Sequence, residues 1–538
     1  MITNKHTTQS NKKNKKTTST NPTYDSLIVN ESLQVIAKGT GILLTGTIIG
    51  TILAALFPII IARSYSPTDF GVYALAMTVF LFLGRISFLG LGDSCSRNIA
   101  FYRGKKDYQK VKDVIVSSFE FILFSGITAG ILLFISANWI SLNIFDTEKL
   151  ITPLKILSFA LPFWLLTGLI ISVFRGFDRA KENVYFNYFM MEGGKILFIV
   201  PVIIIGLSFN FVFFAFVANV IIVFFIASLY FKRKSPKEIK IKKSGKSVVK
   251  KELLLFSLPL IFSGMSWFLL QGTDKFMIAY FMKEHNVGIY NVASTVSGYL
   301  NIFLVNFMFI YQPVGAKLYG AGKNLEIKEL YQTITKWIFL LASPFIMFIF
   351  LQPEVIISLL FGSRYLGSVF PLLILFLTYA IRICLGPAGG SIIMFGKTRQ
   401  LMYIVTSMTM MNIVLNWFFI PVYGISGAAI ATGISIAFLS FLELAYLYKI
   451  SKLHPVKKLY VKIITIFLSL MTVLYIFFQY LPITFSLSAK IMLIIFSYFL
   501  FFVLLIIFNL FREEDLLIIK LIERKLGIKM PFIRRIIR

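Results

Sequence analysis

Long apolar runs separated by short polar breaks are the dominant pattern along this chain. A helix needs roughly 20 apolar residues to cross about 30 Å of hydrocarbon, and runs of that kind fall at 40–62, 71–94, 114–136, 152–174, 187–207 and 210–231. After a polar break they resume at 254–280, 288–315, 335–352, 368–393, 401–420, 425–448, 462–481 and 488–511. Backbone polar groups in lipid must be satisfied within the segment that carries them, so such runs form helices. The pattern predicts an all-α integral membrane protein of about 14 transmembrane helices.

The longest polar break divides the chain, and a repeat supports the division. At one constant offset, Ala62, Gly71, Tyr73, Ala76, Thr78, Val79 and Leu83 recur as Ala279, Gly288, Tyr290, Ala293, Thr295, Val296 and Leu300. Six spans per copy start both copies on the same side, so the repeat is parallel rather than inverted. The expected organisation is a disordered cytoplasmic tail (1–32), an N-lobe of helices 1–6 (33–231), a basic cytoplasmic linker (232–252), a C-lobe of helices 7–12 (253–448), helices 13–14 (449–511) and a basic cytoplasmic tail (512–538). The tail is polar for too long to be a secretory signal, whose apolar stretch follows its basic start directly.

Charge fixes the orientation. Of 54 Lys and Arg, 44 fall in the two tails and in the alternate loops on one side, six (Arg63, Lys149, Lys155, Lys283, Arg364 and Lys490) on the other and four inside spans. Basic residues stay cytoplasmic during insertion, which puts both termini in the cytoplasm of a plasma-membrane protein. The formal net charge of +30 is thus spread between apolar runs, not gathered on the single basic face that nucleic acid requires. Its expected partner at the basic loops is anionic phospholipid, at about 1 kcal/mol per residue near the surface. With 57% hydrophobic and 14% charged residues there is too little polar surface for a soluble globule of this size. The two cysteines, Cys95 and Cys384, lie too far apart for a CxxC metal motif.

Charges inside a bilayer are costly, so each is a candidate for function unless it pairs or snorkels. Arg85 and Arg382 lie halfway along their spans and either line a cavity or pair with a carboxylate. Lys195 follows Glu192 by three positions on one helix face, where the two can neutralise each other. Asp274 and Lys275 are neighbours near the outer end of their span, within snorkelling reach of the headgroups. Arg offers a planar fork to phosphate oxygens and Lys a point charge, so cationic spans suit an anionic headgroup such as a phosphate or pyrophosphate.

Signatures of catalysis are missing. Gly315 and Gly320 have P-loop spacing, but Ala321 stands where the lysine is needed. The longest outer loops run to about 15 residues, too short for a catalytic domain of the kind carried by membrane glycan polymerases. The chain does not read as an enzyme, and no cofactor is expected.

Ordered motifs carry a resemblance over roughly residues 33–511. They are the hairpin Ser66-Pro67-Thr68-Asp69-Phe70-Gly71-Val72-Tyr73, then Phe88-Leu89-Gly90-Leu91-Gly92, then Asp274-Lys275 leading into Val287-Gly288-Ile289-Tyr290, and Tyr423-Gly424-Ile425-Ser426-Gly427-Ala428-Ala429. In these the chain resembles the polysaccharide and O-antigen flippases of the multidrug/oligosaccharidyl-lipid/polysaccharide exporter superfamily. The resemblance implies a two-lobe core of twelve helices with two added C-terminal helices. It also implies movement of a polyprenyl-linked sugar from the cytoplasmic to the outer leaflet by alternating access, with coupling to a H+ or Na+ gradient as one energy source. Arg85, Lys195, Lys275, Arg382 and Asp274 are then the substrate-cavity candidates, and glycan-assembly enzymes are candidate partners. The alternative within the same superfamily is a multidrug or small-molecule exporter.

Overall fold

In a computed structural model the protein is described at residue 46 and over 49–234, 265–480 and 487–510, apart from single positions 89, 178, 267, 271, 321 and 509. The expected tails 1–32 and 512–538, nearly all of the linker 232–252 and the start of the seventh span lie outside those residues. The described elements are all helices. In chain order they are α1 (Ile49–Ser64), α2 (Pro67–Ser87), α3 (Leu91–Gly104), α4 (Tyr108–Trp139), α5 (Ile151–Ser158), α6 (Ala160–Gly176), α7 (Lys181–Ile204) and α8 (Asn210–Lys234). The second half holds α9 (272–282), α10 (Glu284–Gly298), α11 (Asn301–Gly320), α12 (Asn324–Leu351), α13 (Pro353–Leu360), α14 (Val369–Leu385), α15 (Ala388–Met394), α16 (Thr398–Ser451), α17 (Lys458–Tyr480) and α18 (Leu487–Ile507).

Among the described residues eight helices are long and apolar enough to cross a membrane, or nine if the pair α5–α6, bent by 46°, counts as one span. The chain is a multi-pass membrane protein. Its outward surfaces are apolar: Phe124, Leu132 and Ile135 on α4 and Phe225 and Leu229 on α8 stand exposed. In water such faces would aggregate, whereas in lipid they meet their own solvent.

Local chemistry explains where the spans begin and break. Ser66 caps α2 through a capping box: its hydroxyl accepts from the Asp69 amide at 3.1 Å, and the Asp69 carboxylate accepts from the Ser66 amide at 3.3 Å. Pro67 occupies the first turn, where its missing N–H costs nothing. Two breaks fall on residues with positive φ. Gly424 (φ 59°) turns the 54-residue α16 at the polar joint expected between residues 420 and 425, and Gly386 (φ 79°) with Pro387 separates α14 from α15. A Cβ in that backbone region is disfavoured, so glycine is the residue that can stand there.

The two halves share one buried hydrophobic cluster, which runs from Phe57 to Leu510. A smaller cluster that includes Leu91, Cys95, Ile99, Val111 and Val114 binds α3 to the first half of α4 and the second half of α6. The repeat is visible in the helix starts, since Pro67 at the start of α2 and Glu284 at the start of α10 are separated by the repeat offset itself. These two helices pack along each other and join the halves.

Candidate functional site

The C-terminal end of α2 opens onto a cavity of about 380 Å³ whose walls are partly polar and partly apolar. Arg85 lines it from α2, Asp93 from α3, Thr167, Ser172 and Arg175 from α6, and Asn183 and Asn187 from α7, with Met265 on the side of the second half. Arg85 stands in the last turn of α2 and not halfway along a span as expected, because the helix breaks at Gly90; it is exposed, and among the described residues it has no ion-pair or hydrogen-bond partner. Arg175 is placed by its neighbours: Nη2 lies 2.6 Å from Asp93 Oδ1 and donates to Gly92 O at 3.3 Å, and Nε donates to Ser96 Oγ at 3.3 Å. Two guanidinium groups against one carboxylate leave the cavity with a net positive charge. Hydroxyls and carboxamides share the rest of the wall with Phe88, Trp164, Leu165, Ile171 and Met191.

The amide side of the cavity stands on an unusual piece of helix. Val184–Gly193 is π-helical over ten residues, a form seen mostly as single turns and often at functional sites. Asn183 immediately precedes it and Asn187 lies within it, and the Asn187 amide nitrogen donates to the Asn183 amide oxygen at 3.4 Å.

Of the residues expected to line a cavity, Arg85 does so here, and the other four have separate surroundings. Lys195 is held by Glu192 at 2.8 Å and lies over the rings of Phe216 (5.8 Å) and Phe57 (6.0 Å). Arg382 on α14 is buried, with Nη2 at 3.3 Å from Glu443 Oε2 and Nη1 donating to Ser440 Oγ at 2.9 Å, both on α16. Asp274 on α9 is enclosed by donors: Tyr290 Oη at 2.5 Å, Thr432 Oγ1 at 2.7 Å and Asn416 Nδ2 at 3.0 Å. Asn412 extends this network to Thr432 (2.9 Å) and Asn416 (3.1 Å), and Asn416 Oδ1 is buried without a hydrogen-bond partner among the described residues. Lys275 is half-buried beside it. No group of three or more His, Cys, Asp or Glu able to hold a metal occurs among the described residues.

A second cavity, of about 410 Å³, is lined by apolar and aromatic side chains of both halves, including Phe82, Phe145, Phe276 and Trp417. Sequence reading missed Arg175, Asn183 and Asn187, because each sits at a span end where an interfacial position accounts for it. It also passed over Lys336, at the very start of the run 335–352, which is buried in α12.

The chain is thus a multi-pass helical membrane protein with a cavity among its helices that carries two guanidinium groups. The sequence matches the family described as "Polysaccharide biosynthesis protein" over residues 36–314, more than half of the chain, and the MatE family over 259–418. The chain therefore belongs to the polysaccharide biosynthesis protein family of the multidrug/oligosaccharidyl-lipid/polysaccharide exporter superfamily. It is 25% identical over 300 residues, 53% of this chain and 75% of the relative, to the capsular polysaccharide biosynthesis protein CapF of Staphylococcus aureus. It is 24% identical over 399 residues, 72% of this chain and 91% of the relative, to a candidate O-antigen transporter of Shigella flexneri. Among solved structures, the lipid II flippase MurJ in an inward closed conformation has the same fold at TM-score 0.69 and 17% identity, covering 85% of this chain and 97% of that one. An inward-facing multidrug resistance MATE transporter has it at TM-score 0.64 and 15% identity, over 75% and 94%.

Proposed function

We propose that this protein is a flippase that carries a polyprenyl-(pyro)phosphate-linked oligosaccharide from the cytoplasmic to the outer leaflet by alternating access, for synthesis of a surface polysaccharide. The observation that carries the reading is the cavity at the C-terminal end of α2. It sets the guanidinium of Arg85, unpaired among the described residues, beside Arg175 and adds Thr167, Ser172, Asn183 and Asn187. Guanidinium groups match phosphate oxygens in charge and geometry. Hydroxyls and carboxamides exchange hydrogen bonds with sugar hydroxyls as readily as with water. A drug-cation exporter would call for net negative charge here, and the cavity has the reverse.

In this reading the chain has fourteen membrane helices in two six-helix lobes plus a C-terminal pair, sits in the cell membrane and keeps both termini in the cytoplasm. The cavity belongs to the N-lobe and faces the side on which a lipid-linked glycan is assembled. Anionic phospholipid binds the basic loops. Coupling to a H+ or Na+ gradient would act on an interior carboxylate. Two carboxylates are candidates: Glu443, engaged through Oε2 by Arg382, and Asp274, engaged by Tyr290, Thr432 and Asn416; beside each lies a buried oxygen without a hydrogen-bond partner among the described residues, Glu443 Oε1 and Asn416 Oδ1.

Deleting the gene and extracting the lipids tests the proposal. A sugar-charged polyprenyl phosphate or pyrophosphate should accumulate while the matching surface glycan disappears. Wild-type protein should reverse both changes, and Arg85→Ala should reverse neither despite normal abundance. The apolar, aromatic cavity between the halves favours a second reading, export of a hydrophobic small molecule. An unchanged lipid pool with new drug sensitivity in the deletion strain would establish that reading instead.

A further inference from the structure

Repeat-equivalent residues meet one another at a single end of the helix pair α2–α10. Gly71 and Gly288 are equivalents in the repeat, and each packs on the first turn of the other's helix. A Cβ on Gly71 would collide with Glu284 O, and one on Gly288 with Pro67 O. Each such Cβ would also lie 3.0 Å from the other glycine's amide nitrogen. Thr68 and His285, the adjoining equivalents, are joined by a 3.4 Å hydrogen bond between Oγ1 and Nδ1. The local two-fold axis of the repeat therefore passes between these helix starts. Only residues without a side chain let the two backbones approach so closely.

A polar strap crosses between the halves beside this contact. Arg63, just before α2, donates through Nε to Leu360 O at 2.9 Å and through Nη2 to Leu359 O and Ser358 O, the last carbonyls of α13. Those carbonyls end a helix and have no intrahelical donor, so a guanidinium is a suitable partner for them. In return Arg364 Nη2 donates to Arg63 O at 2.6 Å, and Tyr365 Oη donates to Ala62 O at 3.2 Å. Arg63 and Arg364 are also two of the few basic residues at the end of the spans assigned to the outside. There, bonds to backbone carbonyls explain cations that lipid headgroups do not.

We infer that the Gly71–Gly288 contact, with the Arg63–Arg364 strap, is the outer gate of the carrier, which seals the cavity from outside in this conformation and parts when the cargo leaves. The inference rests on the flippase reading for its direction. A purely structural joint would remain closed throughout transport. A gate must open once per cycle, and hydrogen bonds to exposed carbonyls, unlike a buried apolar seam, exchange with water at little net cost.

The test uses full-length protein carrying Cys95→Ser and Cys384→Ser in native membranes. With Thr68→Cys and His285→Cys added, copper phenanthroline should bridge the two lobes, abolish surface-glycan export and lose its effect on treatment with dithiothreitol. Reversal by reductant excludes misfolding. In a second arm, Val287→Cys is fully buried beside the contact and should resist a membrane-impermeant maleimide, and adding Gly71→Ala or Arg63→Ala should make it reactive from outside. A pair that never bridges, a bridged carrier that exports normally, or a Val287→Cys equally shielded in every background would overturn the inference. If deletion of the gene leaves the glycan and its lipid precursor unchanged, the flippase reading falls, but the labelling arm still decides whether the gate opens.

Discussion

Removing the Arg382 side chain is the sharpest test of how the membrane interior tolerates charge. Arg382 Nη2 and Glu443 Oε2 are 3.3 Å apart, and both side chains are almost wholly buried. At that distance and an effective dielectric near 20, the attraction is about 5 kcal/mol. Arg382→Ala would leave the Glu443 carboxylate buried and deprived of this countercharge, at a cost of about 3–5 kcal/mol. The neutral pair Arg382→Met with Glu443→Leu removes both charges together and should return to within about 1–2 kcal/mol of wild type, since buried pairs replaced by apolar residues are often near neutral. Equilibrium unfolding in detergent would measure each of these, with Arg382→Met alone and Glu443→Leu alone completing the double-mutant cycle. If the double variant is as unstable as Arg382→Ala, the ion pair is not what Arg382 contributes to the fold. Export assayed on the same variants separates the roles. A stable double variant that still exports makes Arg382 a strut between α14 and α16, and a stable one that does not makes it a contact for cargo.

Gly389→Ala would place a Cβ 2.8 Å from Glu443 Oε1 and should cost about 1–3 kcal/mol in the same assay, as overpacking does. Tyr290→Phe withdraws the 2.5 Å donor from Asp274 and should destabilise by about 1–3 kcal/mol, because a buried acceptor loses its partner. Gly424→Ala, at φ 59°, should cost about 1–2 kcal/mol while leaving helix content by circular dichroism unchanged, since the strain is confined to the kink. Arg85→Ala should leave unfolding within about 0.5 kcal/mol of wild type, as exposed substitutions do, and lower export; unaltered export would remove the cavity from the mechanism.

What the sequence made legible was the one-dimensional part of the fold. Apolar runs located the described spans because lipid demands length and apolarity from each helix separately, whatever it packs against. The repeat was readable for the same reason, as it compares positions and not contacts. Lys195 with Glu192 was legible too, since three positions on a helix face fix their neighbourhood. The partners of Arg382 and Asp274 were not, because the chain brings them in from other helices. Glu443 reaches Arg382 from α16, and Asn416 and Thr432 reach Asp274 from that same helix. A π-helix has no such signature in composition or apolar period, so Asn183 and Asn187 could not be placed on a common wall in advance.

The four cations that the sequence places inside spans, Arg85, Lys195, Lys275 and Arg382, do not form one class. Lys195 has Glu192, Arg382 has Glu443 and Lys275 has the neighbouring Asp274, so each can be retained by an interaction within the fold. Arg85 lacks such an interaction among the described residues, yet it lies in a membrane helix and opens into a partly polar cavity. A cation in the last turn of α2 gains from the helix C-terminal dipole, and beyond that from water or from an anion that comes and goes. Water alone would serve any polar residue equally well, so substitutions at position 85 are the informative series. If Lys supports export and Gln does not, the site requires charge. If only Arg does, it requires the planar fork, as expected for a phosphate held by two of its oxygens.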